Sequence, residues 1–227
     1  MATPNPTIAD LLGRTDADAM PTAQAAQVIF SNISAKSLRD EIIACLHQNP
    51  LSPGYFHSNG FLKIELARGL TNQTRLRLHI WNSDFPTTQP QEAHNHAFEY
   101  SSLILRGSFR NTIYKARSGT DFFRYIYSRQ MKFDRDDYFV TPNGTRNLIT
   151  THEFDLKIGD CYDFQPEFIH TFNPLKQEVG ITLVVSRPLN NTLDSEIFSK
   201  VSDLNTRPRN SRLLTAEALK SILLQML

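Results

Sequence analysis

Strict alternation of apolar and polar residues in the middle of the chain predicts β-strands. The clearest example is residues 75–81, whose two faces differ in character. The apolar face comprises Leu76, Leu78 and Ile80, and the other face comprises Arg75, Arg77, His79 and Trp81. Because side chains alternate between the faces of a strand, we expect this segment to bury its apolar face.

About ten short segments of this kind lie between Gly and Pro turns, which favours an antiparallel β-sandwich or barrel. The other predicted strands are 61–67, 100–106, 109–116, 122–127, 132–140, 148–154, 161–164 and 179–186. Turns are predicted at Gly107, at 142–144 and at Gly159. The aromatic segments 122–127 and 132–140 are open to a second interpretation, a flap.

Helical patterns occupy both ends of the chain. Helices are predicted at 7–12, at 21–30 after a proline, and in a third segment capped by Ser34. Near the other end, Thr215 is expected to cap a helix with an apolar stripe. That stripe comprises Leu219, Ile222, Leu223 and Met226. These helices are predicted to be additions to the β-structure.

The pattern predicts one structural domain in three segments. These are a helical extension at 1–50, a β-barrel at 51–190 and a helical tail at 191–227. The 227 residues carry a net charge of +1, with 40% hydrophobic and 21% charged residues, as in an ordinary globular protein. The balanced charge gives no reason to expect nucleic acid or a membrane surface as a partner. No apolar run is long enough to predict a membrane span.

Cysteine content and the first residues bear on the compartment. The chain has two cysteines, Cys45 and Cys161, which are too few for a disulfide framework. The first residues lack a charged segment followed by an apolar core, so no secretion signal is expected. We therefore expect a cytoplasmic protein with reduced thiols. Cys161 is expected to be a small buried residue rather than a nucleophile.

The segment His94-Asn95-His96 carries the strongest candidate chemistry. Two histidines one residue apart on a strand point to the same face, about 7 Å apart along it. Imidazoles placed in this way can converge on one metal ion, and neutral imidazole suits Fe, Zn, Cu and Ni. The alternative is a pair of surface or loop histidines that binds nothing.

The surrounding residues resemble the two motifs of the cupin superfamily, whose members are double-stranded β-helix jelly rolls. The first motif is matched by His94, His96 and Gly107. The second motif is matched, in order, by Gly159, Asp160, Pro166, His170 and Asn173. The resemblance covers roughly residues 60–187. It implies a mainly β protein, a cupin jelly-roll barrel with N-terminal and C-terminal helices.

The resemblance also implies that His94, His96 and His170 are the imidazole ligands of a divalent metal. The position at which cupins usually carry a ligand glutamate is occupied here by Tyr100, and Glu99 lies one residue away. On a regular strand one residue means the opposite face, so the site is interpreted as three histidines without a carboxylate. The alternative is a bulge after His96 that brings Glu99 to the metal.

A three-histidine site is similar to that of the thiol dioxygenases, in particular the cysteine dioxygenase branch, which binds Fe(II). The resemblance implies Fe(II) as cofactor, with Zn, Mn and Ni as alternatives. It implies a dioxygenase that takes O2 and a small thiol-like or amino-acid-like substrate. It does not extend to the Ser-His-Tyr set near the last ligand of the cysteine-specific enzymes, so cysteine itself is not specified.

Two other functions stay open from the sequence. One is a non-redox metal cupin, such as an isomerase, lyase or hydrolase, in which the metal acts as a Lewis acid. The other is a cupin that binds a small ligand or regulates without turnover. In each case we expect a monomer or a homodimer with a small molecule as its partner.

Three further side chains are candidate catalytic residues: Tyr100, Arg77 and Glu99. Tyr100 is expected either to place its phenol near the metal or to line the barrel. Arg77 is expected to clamp a substrate carboxylate if its face lines the barrel, and to be exposed otherwise. His152 is expected to be structural or exposed. Four aromatic residues are expected to form an apolar lid or an extra packed layer: Phe122, Phe123, Tyr125 and Tyr127.

Overall fold

The computed structural model describes residues 20–32, 40, 54–57, 59–69, 74–85, 91–131, 136–176, 179–188, 194–202, 204 and 214–226. The helices of these residues are α1 (Thr22–Asn32) and α2 (Ala216–Met226). Their strands are β1 (Gly54–His57), β2 (Phe61–Arg68), β3 (Arg75–Trp81), β4 (Ala93–His94), β5 (Phe98–Arg106), β6 (Phe109–Met131), β7 (Asp136–Leu156), β8 (Cys161–Phe164), β9 (Ile169–Pro174), β10 (Gly180–Pro188) and β11 (Ser195–Ser199). Neither α1 nor α2 is long and apolar enough to cross a membrane.

The described strands form two antiparallel sheets. The first sheet has the order β1-β2-β3-β10-β5-β8, and the second has the order β11-β4-β9-β6-β7. The pairs are nested within one another along the chain: β3 pairs with β10, β4 with β9, β5 with β8, and β6 with β7. This nested pairing is the winding of a jelly roll. The predicted jelly-roll fold is therefore confirmed.

Strand β3 shows how the alternating pattern positions the sheets. Its apolar face joins the largest cluster of buried residues, which also takes side chains from β2, β10 and both helices. On its other face, Trp81 contacts Phe109 and Phe172 of the second sheet, with ring centroids 4.9 and 5.6 Å apart. The helices thus cover the outer face of the first sheet, and the mixed face of β3 lines the barrel interior.

The predicted turns at Gly107 and Gly159 are confirmed. Gly107 lies between β5 and β6 with a φ of 82°, in the left-handed region that favours glycine. An added Cβ there would also lie 3.1 Å from the Cα of Gly180. The turn therefore packs tightly against the backbone at the start of β10, where a side chain would be crowded.

The β6–β7 hairpin differs from the predicted pattern. Segments expected to be four short strands join into two long ones. The predicted turn at 142–144 was wrong, since these residues lie inside β7, where Tyr125 pairs with Pro142 and Phe123 pairs with Thr145. The two residues between those partners are accommodated as a bulge, because pairing with β6 continues on both sides of them.

The two ends of the chain agree with the expectations only in part. The helix predicted at 21–30 is confirmed as α1. The segment expected to be a helical tail contains β11, which pairs with β4 and β6, and helix in this segment is confined to α2 among the described residues. The helix predicted at 7–12 lies outside the described residues, and of the helix predicted after Ser34 only Asp40 is described, in helical conformation.

Candidate metal centre

Three imidazole rings converge on the second sheet. His94 on β4 is the register partner of His170 on β9, and His96 follows two residues after His94. The ring centroid of His94 lies 4.8 Å from that of His96 and 4.9 Å from that of His170. The ring centroids of His96 and His170 are 5.2 Å apart. One ring nitrogen from each residue lies within 4.8 Å of the other two.

His96 does not lie on the strand that carries His94, so the expectation of a shared strand was wrong. Strand β4 ends at His94, and the backbone N–H of His96 donates to the carbonyl of Pro166 at 3.3 Å. The intervening Asn95 exchanges two hydrogen bonds with the backbone of Glu196 on β11. These contacts fix the segment after β4, and the two rings still converge.

Hydrogen bonds at the outer nitrogens define how two of the rings are oriented. His94 Nδ1 donates to the carbonyl oxygen of Glu92 at 2.8 Å. His170 Nδ1 lies 3.2 Å from Oδ1 of Asn111, which can only accept, so Nδ1 carries the proton. In a neutral imidazole the other nitrogen is then a lone-pair acceptor. Both rings therefore present Nε2 as the available metal ligand.

One pair of ring nitrogens has the spacing expected for two ligands of one divalent ion, and the three ligand nitrogens together lie within 4.8 Å of one another. Imidazole nitrogens bind at about 2.0–2.1 Å, so two that subtend a right angle at one ion are about 3.0 Å apart. Nε2 of His96 and Nε2 of His170 are 3.0 Å apart. A metal in this site would be held by His94, His96 and His170.

Burial keeps the three imidazoles neutral. His170 is 2% exposed and its ring lies 4.0 Å, centroid to centroid, from that of Phe164. Desolvation lowers the pKa of His94 to about 4, although its bond to Glu92 acts in the opposite direction. Desolvation, followed by the neighbouring histidines, also lowers the pKa values of His96 and His170 well below 6.5. Neutral rings are the form that binds metal.

Strand β5 directs Tyr100 and Glu99 to opposite sides. The Tyr100 hydroxyl lies 3.3 Å from Nε2 of His170, and its ring centroid lies 4.8 Å from that of His96. Burial raises the pKa of Tyr100 well above 10, so the phenol stays protonated. Glu99 instead accepts a hydrogen bond from Oγ1 of Thr22 in α1 at 3.0 Å. Among the described residues, the cluster of convergent ligands is three histidines without a carboxylate.

Arg77 lies inside the barrel rather than on an exposed face. It is 7% exposed, and its Nη1 donates to Oγ of Ser186 at 2.9 Å. Its guanidinium carbon lies 5.5 Å from the ring centroid of Phe98, which is itself 5.0 Å from that of His96. Arg77 is therefore separated from the histidine cluster by one aromatic ring.

The carboxylate of Glu65 lies close to three guanidinium groups, one of which belongs to Arg77. Arg77 Nε lies 3.9 Å and Arg75 Nη1 lies 3.7 Å from Oε2 of Glu65, and Arg68 pairs with the other oxygen of Glu65. Glu65 on β2 therefore lies against the guanidinium group of Arg77, its register partner on β3.

Other residues considered from the sequence lie away from the histidines. His79 packs between Phe61 and Trp81, with ring centroids 4.6 and 5.9 Å away, and His152 is exposed on β7. Cys161 is exposed, so the expectation of a buried cysteine was wrong. The reason is that β8 is an edge strand of the first sheet and turns its alternate side chains outward.

The aromatic segment of β6 forms a packed layer at Tyr125. This residue is 1% exposed, donates from its hydroxyl to the carbonyl of Val201 at 3.0 Å, and packs with Ile197 and Leu204. Its neighbours Phe123 and Tyr127 pack against the same cluster. Of the two alternatives for this segment, the packed layer is the one observed at these residues.

Three residues of the centre were not identified from the sequence: Asn111, Glu92 and Asn95. Asn111 and Glu92 fix the outer nitrogens of His170 and His94, and Asn95 anchors the intervening segment. Glu92 acts through its backbone carbonyl, which carries no residue-type signal. The contact of Asn111 depends on the pairing of β6 with β9, which is 59 residues distant in sequence.

No family model and no curated protein matches the chain. Among solved structures, a variant of oxalate decarboxylase from Bacillus subtilis is 16% identical with a TM-score of 0.33, over 57% of this chain and 26% of that chain. An RmlC-like cupin from Shewanella frigidimarina is 13% identical with a TM-score of 0.31, over 59% and 80% of the two chains. A cupin superfamily protein from Desulfitobacterium hafniense is 12% identical with a TM-score of 0.30, over 57% and 78%.

Two of these three structures carry the name of the superfamily that the sequence motifs resemble. At TM-scores near 0.3 the likenesses add nothing to the strand pairing, which by itself defines the jelly roll. The roles of individual residues therefore follow from the geometry of this chain alone.

Proposed function

We propose that this protein is an Fe(II)-dependent dioxygenase that acts on a small, anionic, thiol-like or amino-acid-like substrate. The observation that carries the proposal is the convergence of three neutral imidazoles, from His94, His96 and His170, without a carboxylate in the cluster. The neutral donor set leaves a bound divalent ion with its full charge. An anionic ligand such as a thiolate is then favoured beside it.

In this proposal, Fe(II) supplies redox chemistry toward O2 and a positive charge that attracts the thiolate. The reaction class is the conversion of a thiolate and O2 to a sulfinate. The sulfur loses four electrons and forms two S–O bonds, the O–O bond is broken, and both oxygen atoms enter the product. No further reductant or oxidant is needed for this balance.

Tyr100 and Arg77 have distinct parts in the proposal. The Tyr100 phenol is protonated and lies beside His170, so it donates a hydrogen bond to an anionic group brought to the cluster. Arg77 stands one aromatic ring from His96 and lies 3.9 Å from Oε2 of Glu65. Its guanidinium fork suits the carboxylate of an amino-acid-like substrate. Glu99 has no part in the reaction, since it pairs with Thr22 on the other side of β5.

The test combines metal analysis with oxygen consumption. Protein loaded anaerobically with Fe(II) is offered a panel of small thiols, with and without a carboxylate, and O2 uptake is followed together with sulfinate formation. The expected result is stoichiometric uptake with one or more carboxylate-bearing thiols. Tightly bound zinc, with no uptake for any thiol by the iron-loaded protein, would instead favour a non-redox metal function.

The part of Arg77 is tested by Arg77→Lys, which keeps the charge and loses the two-pronged geometry. We expect KM for the carboxylate-bearing thiol to rise about 10-fold or more with unchanged iron content. Arg110→Lys is the matched control, because Arg110 is exposed and pairs with Asp155 away from the histidines. Equal KM values in the two variants would remove Arg77 from the substrate site.

A further inference from the structure

We infer that Asn111 is a positioning residue that holds His170 in its metal-binding tautomer. The inference rests on the proposed metal centre and assigns a second layer of residues to it. Asn111 is not itself one of the proposed metal ligands. Its effect is exerted through the imidazole of His170, whose outer nitrogen it contacts.

The backbone of Asn111 is fixed on both sides. It lies in β6, where it pairs with Phe154 of β7 and with Phe172 of β9. Ile113 is the register partner of His170, so Asn111 stands diagonally across from the histidine on the inner face of the sheet. The side chain is fully buried. A residue held in this way has little freedom to choose another partner.

The chemistry of the amide determines the tautomer of His170. Oδ1 of Asn111 is an acceptor with no proton to give, and it lies 3.2 Å from Nδ1 of His170. The proton of the neutral ring is therefore placed on Nδ1, and the lone pair of Nε2 is directed toward His96 and Tyr100. Without this acceptor, either nitrogen could carry the proton, and in the Nε2–H form the nitrogen that faces His96 and Tyr100 has no lone pair for a metal.

The other end of the Asn111 amide argues against a purely structural role. Within the described part of the chain, its Nδ2 is buried and has no hydrogen-bond partner. A buried donor without a partner is unfavourable for folding, so an apolar residue of similar size would serve packing better. The amide is thus explained by the one bond that it does make, to His170.

The test compares Asn111→Leu and Asn111→Asp with the full-length wild-type chain. Leucine removes the acceptor, and aspartate retains one. Thr182→Val is the matched control, because Thr182 is also buried in the barrel and its hydroxyl also lacks a partner in the described residues. Correct folding of each variant is checked by circular dichroism and thermal unfolding.

The first readout is the tautomer of His170 in metal-free protein, from nitrogen-15 NMR of the imidazole. The wild type, Asn111→Asp and Thr182→Val should show the proton on Nδ1, and Asn111→Leu should show a mixture or the proton on Nε2. The second readout is the affinity for Co(II), a spectroscopic probe of the site. We expect Asn111→Leu to bind it about 10–100-fold more weakly, and Asn111→Asp to restore most of that loss.

Two results would overturn the inference. One is a His170 that keeps its proton on Nδ1 in Asn111→Leu. The other is a Co(II) affinity in Asn111→Leu equal to that of Thr182→Val. If the wild type binds no metal at all, the proposed function fails, but the NMR measurement still decides whether Asn111 sets the tautomer. If the wild type binds metal and Asn111→Leu binds it equally well, only the role of Asn111 is lost.

Discussion

Nε2 of His96 and Nε2 of His170 lie 3.0 Å apart, although the residues are separated by 74 positions in the chain. Two nitrogen lone pairs do not face each other at this distance without a proton or a cation between them. His170 carries its proton on the outer nitrogen, so in metal-free protein His96 supplies the bridging N–H. Metal binding at Nε2 of His96 then moves that proton to Nδ1, so the neutral ring changes tautomer without releasing a proton.

The affinity for divalent metal should depend weakly on pH near neutrality. Protons compete for the ligand nitrogens only near or below their pKa values, and burial lowers that of His94 to about 4 and those of His96 and His170 well below 6.5. The expected result is little change in the apparent dissociation constant for Co(II) between pH 7.5 and 5.5, measured by competition with a chelator whose own protonation is corrected.

Three exposed histidines with ordinary pKa values near 6.5 would behave differently. Their combined protonation would weaken binding roughly 100-fold between about pH 6.5 and 5.5. A loss of that size in the wild-type protein would contradict the lowered pKa values of the three rings.

Replacement of Tyr100 by phenylalanine should separate catalysis from metal binding. The change removes a hydroxyl 3.3 Å from Nε2 of His170 and leaves the aromatic ring in place. We expect unchanged metal content, and a fall in kcat of about 100-fold, the typical effect of losing one donor to a developing charge. Iron content and O2 uptake with the active thiol are the measurements.

The control for this change is Tyr114→Phe. This substitution also removes a hydroxyl that makes a hydrogen bond, here with Oγ1 of Thr171 at 3.2 Å, but that bond is not part of the histidine cluster. If Tyr100→Phe loses its iron while Tyr114→Phe retains it, Tyr100 is a metal ligand rather than a hydrogen-bond donor.

The sequence predicted the parts of this site that follow from local pattern. Alternation along β3 placed Arg77 on the mixed face, and the period of two separated Tyr100 from Glu99. The resemblance to the two cupin motifs brought His170 together with His94 and His96 as candidates. The first two depend on strand periodicity, which can be read directly from the chain, and the third depends on the resemblance to known motifs.

The features that were missed depend on pairing between distant strands. Asn111 gains its role only because β6 lies beside β9, and β11 forms because β4 and β6 offer it partners. The residues 142–144 have turn chemistry, yet the long ladder of the β6–β7 hairpin accommodates them as a bulge. Such outcomes are determined by tertiary context, which local propensity does not contain.

Close packing between the sheets should make Gly180 intolerant of a side chain. An added Cβ would lie 2.4 Å from Cζ of Phe109, which is fully buried and stacks on Phe172 at 4.6 Å. Gly180→Ala should therefore lower the free energy of unfolding by about 1–3 kcal/mol, as overpacking of a core does. Urea denaturation measures this loss of stability, with Thr182→Val, two residues along the same strand, as the reference variant. Equal free energies of unfolding for the two variants would contradict the prediction.

The metal content of His170→Ala tests the three-histidine centre most directly. Wild-type protein, His170→Ala and His152→Ala are stripped with chelator, reloaded anaerobically with Fe(II), desalted and analysed for iron by mass spectrometry. His152 is exposed on β7 and provides the matched histidine control. The wild type and His152→Ala should retain close to one iron per chain, and His170→Ala close to none. Equal iron in His170→Ala and the wild type would show that His170 is not a ligand and would contradict the centre described here.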